Sequence, residues 1–137
     1  MDDFQYFGLF LGKRARNKLH NLVFNLPGCS ADLREFPHKI FLDHCTVLHR
    51  SQLNNNPKLY SHLECNLGEY YIVKITAIGA SSKTLAFKVE LPEDMCANKT
   101  PHITIATFIG GKPVDSNYIK HWKEIEPIEI MTKLEKR

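Results

Sequence analysis

Little in this 137-residue chain points to a membrane, a metal or a disulfide framework. No apolar run approaches the roughly 18 residues that span a bilayer, so no membrane partner is expected. The start, Met1-Asp2-Asp3, lacks the basic opening of a secretory signal. The four cysteines, Cys29, Cys45, Cys65 and Cys96, include no C-x-x-C pair, which argues against a zinc site. Without a signal they are expected to be reduced thiols in a cytoplasmic protein. The formal charge is only +3. That is too weak for a non-specific nucleic-acid binder, although it suits an anionic ligand. Linkers, low-complexity tracts and long repeats are absent. The length predicts one domain, 1–137, with its own core, and a monomer is expected.

What is present is ordinary for a globular protein: 43% apolar and 24% charged residues. Phe4 to Leu11 reads as a strand, with Gly8 marking a bulge or a close backbone approach. Lys13 to Asn25 fits an amphipathic helix through Ala15, Leu19, Leu22, Val23 and Leu26, stopped by Pro27-Gly28. Its Lys13, Arg14, Arg16 and Lys18 read first as a solvated face, and second as a basic lip for a phosphate backbone. Gly28 to Pro37 is a loop by composition. Lys39 to Leu48 reads as a strand, and Leu59 to Leu67 as a short helix or irregular segment. Glu69 to Ile78 and Thr84 to Leu91 form a hairpin across a turn at 79–83. Glu93 to Thr100 reads as a loop or helical turn, and His102 to Ile109 as another strand. Asp115 to Glu124 is expected to be helical, capped by Asp115 or Ser116. Ile128 to Leu134 alternates as a final strand. Strands and helices joined by hairpin-type connections predict an α+β class with antiparallel sheet.

Two of these strands carry the same pattern: His44-Cys45-Thr46-Val47 and His102-Ile103-Thr104-Ile105. Residues i and i+2 of a strand share a face. His44 and Thr46 therefore point one way, as do His102 and Thr104, while Cys45, Val47, Ile103 and Ile105 point into a core. One His-x-Thr is a weak signal and defaults to a structural histidine. Two copies, each followed by an apolar residue and each inside a strand, favour a function. Paired imidazoles and hydroxyls in one cleft suit a phosphate held between an acid and a base.

On these motifs, with His49-Arg50-Ser51 after the first and Thr100-Pro101 before the second, the sequence resembles the two-histidine phosphoesterase superfamily. In particular it resembles the cyclic phosphodiesterase domain of plant- and fungal-type tRNA ligases. The resemblance implies a bilobal, pseudo-symmetric α+β fold in which two antiparallel sheets face a central groove. It also implies catalysis without a metal or cofactor, on an RNA 3′ end or a small cyclic nucleotide or oligonucleotide.

Opening a 2′,3′-cyclic phosphate needs a base for the attacking water and an acid for the departing ribose oxygen. Imidazoles suit both tasks because their ordinary pKa lies near the working pH. The resemblance gives His102 the water and His44 the leaving oxygen; the near-symmetric motifs alone leave that polarity open. Thr46 and Thr104 would donate to the non-bridging oxygens. Arg50 and Ser51 are candidate phosphate contacts. Trp122 and Tyr118 are candidate base-stacking residues, with Tyr6, Phe10 and Phe108 behind them. His20, His38, His49, His62 and His121 lack a matching Thr and default to structure. Two alternatives stay open: cleavage of cyclic or 2′–5′ oligonucleotide messengers by an internal 2′-hydroxyl, and an RNA-end binding module with idle histidines.

Overall fold

The computed structural model describes residues 4–26, 33, 38–92 and 94–137. The loop expected at 28–37 lies outside them apart from Leu33, as does Cys29. The chain runs β1 (Tyr6–Leu11), α1 (Lys13–Asn25), β2 (His38–Ile40), β3 (His44–His49), a 3₁₀ turn (Arg50–Asn55) and α2 (Pro57–Cys65). It continues through β4 (Tyr70–Ala80), β5 (Thr84–Glu90), β6 (His102–Phe108), a second 3₁₀ turn (Pro113–Tyr118) and β7 (Trp122–Lys136). The fold is α+β, and every strand pairing among the described residues is antiparallel.

The strand order β2-β6-β3-β1-β7-β4-β5 closes on itself because β5 also pairs with β6. The two expected sheets are thus joined into one closed six-stranded ladder, with β2 as an extra strand on β6. Closure removes sheet edges that would otherwise present unpaired amides. The interior is filled by side chains such as Phe7, Leu9, Leu48, Ile75, Phe87 and Leu134, all fully buried. The inward set expected at the motifs, Cys45, Val47, Ile103 and Ile105, is also fully buried. Helix α1 buries Leu19 and Val23 and leaves its Lys13, Arg14, Arg16 and Lys18 face exposed.

Three elements differ from the sequence reading. The strand expected over 39–48 is broken: Ile40 pairs with Ala106, whereas Cys45 pairs with Ile103. Leu42, fully buried, takes a left-handed φ of 47° in the intervening bulge. Burial of its side chain is what offsets the backbone cost there. The helix expected over 115–124 is only the 3₁₀ turn at Pro113–Tyr118. Trp122 to Glu124 pair instead with Gly79 to Ala77 of β4, so sheet pairing overrides local helix propensity. The final strand is consequently longer than Ile128–Leu134 and passes through Pro127. That is tolerated because the β4–β7 register slips there, between Ile75 and Ala77.

Candidate active site

Strands β3 and β6 are neighbours, with Cys45 opposite Ile103. Next to that pair, the Leu42 amide donates to the Thr104 carbonyl at 3.0 Å, and His44 bonds the threonine of its own motif, with Nε2 3.1 Å from Thr46 Oγ1. His44, Thr46, His102 and Thr104 all line one cleft of about 500 Å³, together with Gln5, Tyr6, Asp43, His49, Ser51, Gln52, Asn98, Pro113, Val114 and Asn117.

The two imidazoles are held differently. His102 is 8% exposed, and its Nδ1–H donates to the Thr100 carbonyl at 3.1 Å. That bond fixes the neutral tautomer with Nε2 as the open acceptor. Burial holds His102 below the ordinary imidazole value; the Thr100 bond opposes this, and charge on His44 adds to it. His44 is more open. Its Nδ1 lies 3.3 Å from Asp43 Oδ2, and its Nε2 lies 3.1 Å from Thr46 Oγ1. Burial lowers its pKa too, against the Asp43 hydrogen bond and charge, which raise it, while Arg137 lowers it further.

The threonines are anchored as well. Thr104 Oγ1 sits 3.0 Å from Ser116 Oγ and donates towards the Pro113 carbonyl at 3.4 Å. The Thr46 carbonyl accepts from Asn98 Nδ2 at 3.4 Å, and Gln52 Nε2 donates to Asn98 Oδ1 at 3.0 Å. The first 3₁₀ turn and the loop before β6 thereby brace β3 beside the cleft.

The softer candidates divide. Ser51 lines the cleft. Arg50 does not: its guanidinium donates to the Phe4 carbonyl and lies over the Phe4 ring at 5.3 Å. Trp122 is also outside, packed over Gly79 at the β4–β7 end. Tyr118 is 72% exposed and belongs to the turn from which Pro113, Val114 and Asn117 reach the cleft, but it does not line it. His49 was read as structural, yet it borders the cleft, where its Nδ1 accepts from the Ser51 amide at 3.1 Å. Asp43 and Asn98 were not singled out from the sequence, and Ser116 was read only as a possible helix cap. An acidic residue directly before the first motif was the one signal for any of them. Among the described residues, no group of three His, Cys, Asp or Glu side chains is arranged to hold a metal ion, and no helix is long and apolar enough to cross a membrane.

No family model matches this chain, and no curated protein matches it. Its fold is similar to that of a fungal RNA kinase, whose crystal structure superposes with a TM-score of 0.67 at 16% sequence identity. The match covers 96% of this chain and 46% of the other, so the chain spans about half the length of that protein.

Proposed function

We propose that the protein is a phosphodiesterase that opens 2′,3′-cyclic phosphates on RNA ends or nucleotides by histidine acid–base catalysis, without a metal. The observation that carries this reading is the convergence of two His–Thr pairs, from adjacent strands, on one cleft. The tautomer of His102 supports its role as base: with Nδ1–H committed to Thr100, Nε2 is free to accept the proton of a water attacking phosphorus in line. The new P–O bond forms as the bond to one ribose oxygen breaks, and that oxygen takes a proton from His44 Nε2. Thr46 and Thr104 donate to the non-bridging oxygens, where negative charge grows, the Thr104 hydroxyl turning from the Pro113 carbonyl, its 3.4 Å acceptor in the free protein, to do so. Ser51 stands at the rim for a further polar contact with the ligand. The fold likeness to a fungal RNA kinase is in keeping with an RNA-end substrate as the broader class.

The test is incubation with a panel of 2′,3′-cyclic nucleotides, RNA ends and cyclic or 2′–5′ oligonucleotides, with and without a chelator. The expected result is chelator-resistant conversion of a cyclic phosphate to a single monophosphate. His102→Ala should cut turnover by about 10⁴-fold, the upper range for a general base. Thr104→Ala should cost less, on the order of 10²-fold. Oligonucleotide cleavage ending in a cyclic phosphate would instead favour the internal 2′-hydroxyl as nucleophile. Equal ligand binding by wild type and His44→Ala, with no turnover by either, would make this a binding module.

A further inference from the structure

We infer that Tyr6, Gly8 and Phe10 of β1, together with Asp43, form a seat that fixes the His44 ring, making them positioning residues. The inference rests on the reading above, in which His44 supplies the proton to the leaving oxygen. Residues 6, 8 and 10 share one face of β1, and the register sets Gly8 opposite Thr46 and Phe10 opposite His44. The Tyr6 and Phe10 rings lean towards each other over Gly8, with centroids 6.1 Å apart. The imidazole rests against both, 4.9 Å from each and inclined by 21° and 24°. Glycine is what leaves room for the ring. A Cβ at position 8 would lie 3.1 Å from Phe10 Cε2 and 3.3 Å from both His44 Cδ2 and Tyr6 Cε2.

The surroundings also sort the two histidines, whose sequence motifs are nearly identical. His44 has a carboxylate at Nδ1, which raises its pKa against the burial that lowers it, and two aromatic rings against the imidazole. His102 has a neutral carbonyl at Nδ1 and deeper burial. The other groups facing His44 are the Tyr6 hydroxyl from β1, His102 from β6, and Arg137 at the end of β7. Arg137 opposes protonation; its guanidinium lies over the Phe10 ring at 4.0 Å and is itself paired with Glu135 at 3.0 Å.

The experiment is imidazole NMR titration of the full chain, with steady-state kinetics on a 2′,3′-cyclic nucleotide. Asp43 is half exposed, so Asp43→Asn should fold. In that variant the His44 titration midpoint should fall while the His102 signals stay in place. Gly8→Ala should lower kcat by about tenfold to a hundredfold, the effect of a small displacement of a reacting group, with KM within about twofold. A His44 midpoint unmoved in Asp43→Asn, or wild-type kcat in a folded Gly8→Ala, would overturn the seat. A midpoint that falls in a protein turning over no cyclic phosphate would leave the seat standing and remove the hydrolytic reading. Turnover by the wild type with an unmoved midpoint would do the reverse.

Discussion

His102 is kept neutral by its surroundings, and that has a consequence for stability. Burial disfavours its charged form, and the same holds for His44. Near pH 6 the unfolded chain therefore binds protons at these positions more readily than the folded chain does. The contribution to stability is complete above the unfolded value, about 6.5, and is lost as the pH falls through the lower folded values. The urea midpoint should accordingly be lower at pH 5 than at pH 7.5. Replacing His102 by Gln, which keeps a donor for the Thr100 carbonyl without titrating, should narrow that difference. The same difference in wild type and variant would mean that His102 takes up its proton equally well in both states.

At the scale of elements, periodicity carried most of the secondary structure. Lys13–Asn25 is the helix that its apolar spacing indicates, and the β4–β5 hairpin follows from alternation around the turn at 81–83. The His-Thr strands were legible because the motif occurs twice and a strand's period of two assigns each residue a side. The seat of His44 was not legible, because it comes from across strands: nothing local in Tyr6-Phe7-Gly8-Leu9-Phe10 says which ring will lie above the glycine. The bulge at Leu42 was hidden for a related reason, since only tertiary burial makes a left-handed leucine tolerable. The same limit governed Trp122. Its polar neighbours suggested an exposed stacking residue, but pairing with Gly79 folds its ring onto the β4 backbone. A Cβ at Gly79 would lie 2.6 Å from Trp122 Cε3 and 2.7 Å from Ile119 Cγ2. Gly79→Ala should therefore destabilise by about 1–3 kcal/mol, as overpacking does, measurable in the urea midpoint. A midpoint equal to wild type would show that the ring swings aside at no cost.

For the whole molecule, the decisive feature is closure. Strand β7 pairs with β1 along one side and β4 along the other, while β6 joins β3 to β5. The cleft strands and the β4–β5 hairpin thus belong to one ladder, and neither can leave without exposing the interior of the other. The chain closes this ring through contacts distant in sequence: the Arg137 carbonyl accepts from the amides of Gln5 and Tyr6, beside the residues that seat His44. Unfolding should then be a single cooperative transition. The lone tryptophan makes this testable, because Trp122 reports on the β4–β7 side, away from the cleft. Its emission, the far-ultraviolet circular dichroism and the His44 imidazole signal should all change at one urea concentration. A cleft signal lost well before the Trp122 transition would mean that β3 and β6 open as a separate unit, and that the closed ladder does not hold the cleft strands in register.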